Sequence, residues 1–352
     1  MAVFEPGQYR YWIAKQTAKG AAPAVAAYQA LGVIDGDVSV AVDYGRVRYP
    51  TYGGRYYSGQ SWVNGVRGAG ELTALAHPDA VLKLAGLHLG ADAISGAADP
   101  YTHVLTPAAA SPWCALFKKA GVAEGSGAGA PLRNRFNDCR IDQFVLEAST
   151  ANKEGKATAR ILSTDPGDVR PSGDDPTGAL PTERAFVFTD GTGAFKFSAN
   201  TGTAIVVPST VEFRLELNDD FKEAPGDDIT PLDYLPGEST ATIRIACTAE
   251  TASLGELYKI VYGTATPGTG AKPVATIPAL GSVDILLTQA GVTPARTLRV
   301  EIAGVQWAPE ASIPTNTSGE AVQLAFAGEA RLRGANPMVR ITGTSALSTA
   351  VV

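Results

Sequence analysis

"VEFRLEL", Val211–Leu217, alternates without a fault: Val211, Phe213, Leu215 and Leu217 fall on one side, Glu212, Arg214 and Glu216 on the other. A period of two is the signature of a strand with one buried and one wet face. The same alternation recurs in "KATARIL" (Lys156–Leu162), "ATIRIAC" (Ala241–Cys247), "LRVEIAG" (Leu298–Gly304), "AVQLAFA" (Ala321–Ala327) and "MVRITG" (Met338–Gly343). One-sided burial of this kind belongs to antiparallel sheets rather than to βαβ units. The fold expected is mainly β.

Two segments read as helices. In "PDAVLKLAGLHLG", Pro78 suits the first turn, Asp79 the positive end of the dipole, and Val81, Leu84 and Ala85 share a face. In "TASLGELYKIVYG", Ser253 and Glu256 have capping-box spacing, and Leu254, Leu257 and Tyr258 form the face. The two triplets stand a constant 173 residues apart, as do the closing glycines Gly90 and Gly263. "VSVAVDY" (Val38–Tyr44) keeps that interval to Val211–Leu217. "LFKKAGVA" (Leu116–Ala123) is echoed by "LLTQAGVT" (Leu286–Thr293) at 170, a difference that a three-residue deletion accounts for. Strand, long loop, helix and strand thus recur in order, which predicts an internal duplication; two unrelated β domains are the alternative. The predicted bounds are an N-terminal arm at 1–36, holding an amphipathic helical piece near Ala22–Leu31, a first β domain at 37–162, a connector at 163–200 and a second β domain at 201–352.

The two long loops differ in charge. Tyr44–Gly65 carries Arg46, Arg48 and Arg55 with Tyr49, Tyr52, Tyr56, Tyr57 and Trp62, and no acidic residue. Leu217–Glu238 carries Asp219, Asp220, Glu223, Asp227, Asp228, Asp233 and Glu238 against Lys222. Loops of this length usually do something, and interface cores select aromatics and arginine. The expectation is that the first loop of one subunit meets the second loop of another; independent loops that merely differ are the alternative. Glu212, Arg214 and Glu216, or Lys156 and Arg160 on the partner hairpin, are the candidates for a polar face lining a lumen.

The chain has 352 residues, 38 Gly, 23 Pro and a net charge of −6, which fits a folded, turn-rich protein and disfavours groove-type nucleic-acid binding. Cys114, Cys139 and Cys247 form no CxxC pair and read as buried small apolar residues. No secretory pattern opens the sequence, and the apolar stretch Ala74–Ile94 is broken by His77, Asp79, Lys83 and His88, so cytoplasmic assembly is expected. A search for chemistry returns little. His77 and His88 are eleven apart, not the four of a helical metal pair; "GSGAG" at Gly125–Gly129 lacks the strand-turn-helix setting of a nucleotide loop. Asp165, Asp168, Asp174 and Asp175 miss the calcium-loop spacing, and "RNRFNDCR" (Arg133–Arg140) is a small basic spot suited to an interface. No catalytic, cofactor-binding or metal residues are assigned, and no enzyme activity is expected.

"YWIAKQTAKG" (Tyr11–Gly20), "GELTALAHPDAVLKLAGLHLG", "YTHVLTPAAASPWCALFKK", "CRIDQFVLEASTANKEGKATARILS" and "VPSTVEFRLELNDDF" occur in an order that resembles the major tail tube protein of long-tailed, non-contractile bacteriophages. The likeness is one of pattern and order over about two-thirds of the chain, without an invariant motif. It implies a structural virion protein of the phage tail: β-sandwich or barrel domains, each with a flanking helix, whose subunits join sheets edge to edge into rings. Rings stack through long loops into a hollow tube that DNA passes without specific binding on its way into the host. Duplicated members make trimeric, pseudo-sixfold rings, single-domain members hexamers; tape measure, terminator and distal tail proteins are the implied partners. The family has no catalytic residues to carry over. The competing expectation is a two-domain β-sandwich binding module for carbohydrate or a receptor, with Tyr44–Gly65 as its binding face.

Overall fold

The computed structural model describes residues 9–50, 56–120, 132–191, 194–200, 204–207, 209–225, 229–273, 280–289, 291–308 and 322–352. The protein is mainly β, with every strand pair antiparallel. Eighteen strands join one hydrogen-bonded sheet and two more form a separate ribbon.

A first run holds β1 (Tyr9–Lys15), β2 (Gln29–Leu31), β3 (Val33–Pro50), β4 (Tyr56–Leu75), helix α1 (Pro78–Leu89), β5 (Gly90–Ser95), β6 (Tyr101–Pro107), β7 (Cys114–Ala120), β8 (Arg133–Ser149), β9 (Lys156–Ser163) and β10 (Asp168–Val169). A second run holds β11 (Phe195–Ser198), β12 (Ile205–Val206), β13 (Thr210–Asn218), β14 (Lys222–Ala224), β15 (Asp233–Leu235), β16 (Thr240–Thr248), helix α2 (Thr251–Tyr262), β17 (Gly281–Thr288), β18 (Thr297–Trp307), β19 (Gln323–Ala330) and β20 (Arg340–Ser345).

Both runs pair their strands in one order. The first reads β2-β1-β7-β8-β9-β4-β3, with β10 added beside β8. The second reads β12-β11-β17-β18-β19-β16-β13, with β20 added beside β18. Irregularities coincide as well. A bulge at Val33/Asp35 opposite Ala74 and Thr73 matches one at Thr210/Glu212 opposite Cys247 and Ala246. Another at Cys114/Leu116 on β8 matches Gly281/Val283 on β18. A bulge shifts every later residue pair, so two at matching places fix the residue equivalence.

That equivalence corrects the expected intervals. The helices, each of 12 residues, stand 173 apart as read. On β3 the equivalent of Leu215 is Val38, an interval of 177, because Val38 faces Gly70 as Leu215 faces Ile243. On β7 the interval is 167, not 170, since Leu116 faces Phe136 as Val283 faces Ile302. The region expected to be an arm supplies β1 and β2, and the expected connector supplies β10 and β11. Ala22–Leu31 is not a helix: a 3₁₀ turn at Val25–Ala27 leads into β2, where Tyr28 and Ala30 pack on Trp12 and Phe117. Tyr44–Gly65 is largely strand, since β3 and β4 form one long hairpin.

Helix α1 is buried on all sides and ends at Gly90, whose φ of 92° suits a residue without a side chain. α2 ends likewise at Gly263, φ 75°. Its cap lies one turn earlier than the spacing implied. Glu250 is the N-cap, and Ser253 Oγ accepts the Glu250 N–H at 2.9 Å. Glu256 instead turns inward, where it accepts the Ala199 N–H at 2.7 Å. One apolar core runs through both runs, from Ile13, Leu72 and α1 to Phe213, Ile243 and Trp307.

Candidate functional site: the polar sheet face and its edges

The two runs are joined by strand pairing. β13 lies along the outer half of β8, with Glu212 opposite Ser149, Arg214 opposite Glu147, Glu216 opposite Val145 and Asn218 opposite Gln143. β3, β4, β9, β8, β13, β16, β19 and β18 therefore make one uninterrupted ribbon across the molecule. Residues directly opposite in a ladder project to the same face. Leu72, Ala159, Leu146, Leu215 and Ile243 form the buried side.

The other side carries all five candidate face residues. Lys156 lies opposite Glu147, which lies opposite Arg214, which lies opposite Arg244; Arg160 lies opposite Gln143. Arg214 Nη1 is 2.8 Å from Glu147 Oε2 and its Nη2 3.4 Å from Glu216 Oε2. Gln143 donates to Glu216 Oε1 at 2.6 Å, and Arg160 Nε reaches the buried Asp142 carboxylate at 3.4 Å. Arg214, Glu216, Arg244, Glu329 and Arg331 line a shallow depression of about 530 Å³ on this face. This surface is mixed in charge, and Arg160, Arg214 and Arg331 on it are paired with carboxylates of the same chain.

A second strand crossing accompanies the first. β6, reached from α1 through β5, pairs with β20, with Leu105 opposite Ile341. Near it the His103 ring lies between Asp92 Oδ2 at 2.8 Å and the Leu347 carbonyl at 3.0 Å. Burial favours neutral imidazole there, but the Asp92 contact outweighs it and raises the His103 pKa. Arg296, just before β18, bonds Asp99 and also Glu183, the latter at 3.0 Å, and those partners keep it charged against burial. Nothing periodic in "TPARTL" announces this residue.

The expected loop contact runs between subunits, and the described residues show only what each loop touches within one chain. Tyr52, Arg55, Asp227 and Asp228 lie outside the described residues, and Arg46, Arg48 and Tyr56 are described in backbone only. Within one chain, the base of the β3–β4 hairpin already meets the second loop: the Val66 N–H donates to the Ile229 carbonyl at 2.8 Å, and Arg67 pairs with Glu223. Phe221 and Tyr234 of that loop pack on Leu162. Asp219 is engaged within its own chain. It is mostly buried in a cleft of about 90 Å³ between the runs, accepting from Ser111 at 3.2 Å and Ser239 at 2.8 Å. Asp220 bonds Lys222 at 2.7 Å, whereas Trp62 is exposed.

The remaining motifs resolve into structure. Arg133 and Lys119 pair with Asp175; burial raises that carboxyl's pKa, but the two cations outweigh it and hold it low. Arg140 stacks on Trp113. His88 and Ser111 approach Asp219, and the Ser111 hydroxyl has the His88 carbonyl at 3.0 Å and the Asp219 carboxylate at 3.2 Å as its two possible acceptors. His77 caps α1 and bonds the Glu183 carbonyl at 2.7 Å. All three cysteines are free and buried. Among the described residues no group of three or more His, Cys, Asp or Glu side chains is arranged to hold a metal ion, and no helix is long and apolar enough to cross a membrane.

No protein-family model matches the chain, and no curated protein sequence matches it.

Proposed function

We propose that this protein is a structural subunit of a hollow tube, of the kind that forms the tail of non-contractile phages, and that one unit occurs twice in each chain. The observation that carries this reading is the β8–β13 junction. It runs two strand sets of like order into one ribbon, apolar beneath and polar above. A ribbon of that kind, continued from chain to chain, closes into a wall with Glu212, Arg214, Glu216, Lys156 and Arg160 toward the bore. Closure also removes sheet edges that otherwise aggregate. Two units per chain give three chains per pseudo-sixfold ring, and stacking of rings is a heterologous contact that grows without closing.

Negative-stain microscopy of the purified, concentrated protein tests the proposal: rings or tubes with a central channel support it, and single particles without a channel overturn it. Native mass spectrometry of the smallest ring then separates three chains from six. Reversing Arg46, Arg48 and Arg55 to Glu together is expected to leave folded rings that no longer stack, while intact tubes would remove the stacking role of that hairpin. Stacking through exposed charges weakens with salt, because screening acts over roughly 8–10 Å at physiological ionic strength. A binding-module reading draws on the exposed Tyr44 and Trp62. Monomers that bind glycans through those residues would favour it.

A further inference from the structure

Residues 346–352 run from the end of β20, in the second run, back across α1 of the first. Val351 is buried in the common core, with Leu347 and Val352 packed against it. Gly86 on α1 leaves the room, since a Cβ there would come within 2.6 Å of Val351 Cγ2. The segment has no regular secondary structure, and among the described residues it makes no backbone–backbone hydrogen bond. Charged side chains of the first run hold it instead.

Val351 is gripped on both sides of its backbone. Its N–H donates to Asp92 Oδ2 on β5 at 2.8 Å, and its carbonyl accepts from Lys83 Nζ on α1 at 2.7 Å. The Leu347 carbonyl lies 3.0 Å from His103 Nε2 on β6, and the other ring nitrogen, Nδ1, lies 2.8 Å from the same Asp92 Oδ2. Both the His103 and the Asp92 side chains are 0% exposed. A carbonyl and an ionised carboxylate only accept, so an imidazole between them fills both contacts only with a proton on each nitrogen. A neutral ring beside ionised Asp92 leaves one acceptor facing a lone pair. Asp92 Oδ1 has no hydrogen-bond partner among the described residues, so the buried carboxylate relies on His103 and Val351. Whichever of the two side chains holds the extra proton, the pair needs it.

We propose that residues 346–352 form a proton-gated strap: the protonated His103–Asp92 pair fastens them over α1, and loss of its proton releases them and bares the α1 surface around Gly86. The acids facing the ring are Asp92 from β5 and Asp79 from α1, and both favour its charge. Lys83 from α1 faces Asp92, while Glu183 and Arg296 act on Asp79. β20 sets only Gly343 opposite His103. Burial works against the charge, but the Asp92 contact outweighs it and holds the His103 pKa above its ordinary 6.5. The fastening is therefore complete below 6.5 and is lost as pH rises through the higher folded value. Lys83 sends no such signal, because a neutral amine still donates to the Val351 carbonyl.

Hydrogen exchange of the full chain, read by mass spectrometry and corrected for the intrinsic effect of pH, tests the strap. Between about pH 6 and pH 9, a peptide over 346–352 is expected to lose at least about tenfold of its protection, the worth of one hydrogen bond to a charged group. A peptide over β20 is expected to keep its own. NMR of labelled histidine is expected to show both His103 ring nitrogens protonated at about pH 6 and to titrate with the same midpoint as the exchange. Asp92→Asn, which removes the charge, is expected to move that midpoint down by at least about one pH unit. His103→Gln, which donates to the Leu347 carbonyl without titrating, is expected to make the protection of 346–352 independent of pH.

Constant protection of 346–352 while His103 titrates, a neutral His103 ring at about pH 6, or an unmoved midpoint in Asp92→Asn would each overturn the strap. So would protection lost from β20 and 346–352 together, which would report opening of the β6–β20 crossing itself. Should His103→Gln fail to fold, exchange and ring titration of the wild-type chain decide the matter by themselves. All of these measurements read the single chain, so their outcome leaves the tube reading untouched.

Discussion

β20 and β10 occupy corresponding places in the pairing orders of the two runs. Each lies beside a long central strand after a hairpin, yet Ile341 is fully covered and its counterpart Val169 is among the most exposed apolar residues described. Leu217 and Val40 repeat the contrast on β13 and β3. The difference does not lie in residue type, since all four are aliphatic. It lies in the pairing: β8 covers β13 and β6 covers β20, whereas among the described residues β3 pairs only with β4 and β10 only with β8.

The contrast breaks most directly by truncation. Leu217→Ala and Ile341→Ala each remove a buried aliphatic side chain from the junction between runs, at an expected cost of about 3 kcal/mol. Val40→Ala and Val169→Ala are expected to change monomer stability by less than about 0.5 kcal/mol, as exposed positions do. Urea unfolding at dilutions that keep the chain monomeric measures all four. Equal costs within either pair would show that the two environments do not differ as described.

The helices sharpen the comparison at one position. Lys83 and Glu256 are equivalent, 173 residues apart, and both are buried, but they carry opposite charge. Lys83 donates to the Val351 carbonyl at 2.7 Å, and burial lowers its pKa to about 8. Between pH 8 and its ordinary 10.5 the unfolded chain binds more protons than the folded one, so stability rises with pH across that window. The gross penalty below pH 8 is about 3 kcal/mol, and the hydrogen bond to Val351 offsets about 1 kcal/mol of it. Lys83→Met is therefore expected to stabilise the protein by about 2 kcal/mol at pH 7 and to flatten the rise above pH 8. Unfolding midpoints from pH 7 to 10.5 provide the check, and an undiminished rise in the variant would assign it to another group.

Strand existence was legible wherever one face is wet: Phe213–Leu217 and Leu298–Gly304 alternate in the sequence and in burial, while Val211, at the bulge, is only half-buried. Register was not. Alternation is unchanged by any even shift, so Val38–Tyr44 laid on Val211–Leu217 has the right face but lies four residues from the hydrogen-bonded match. The Ala-Gly-Val echo misses by three, an odd step that would exchange the faces, and its appeal came from a chain rich in those residues. β1 carries no periodic signal because Tyr11, Trp12, Ile13 and Ala14 are buried on both faces. β11 had a signal in Phe195 and Phe197, both buried. For Asp219, charge alone could not distinguish a solvated loop acid from one satisfied in a cleft by two serines.

The polar face offers the finest discrimination. Arg214 and Glu147 belong to different runs and meet at 2.8 Å, but both side chains are more than a third exposed or close to it, at 42% and 34%. Solvent screens such pairs, so a double-mutant cycle with Arg214→Ala and Glu147→Ala is expected to give a coupling of about 0.5 kcal/mol. Leu217, on the opposite side of the same strand, is expected to matter several times more. Apolar contact beneath the ribbon then holds the two runs together, and the charges above it are free to serve the surface they present. A coupling comparable to the Leu217→Ala cost would reverse that division and make the polar face itself part of the joint.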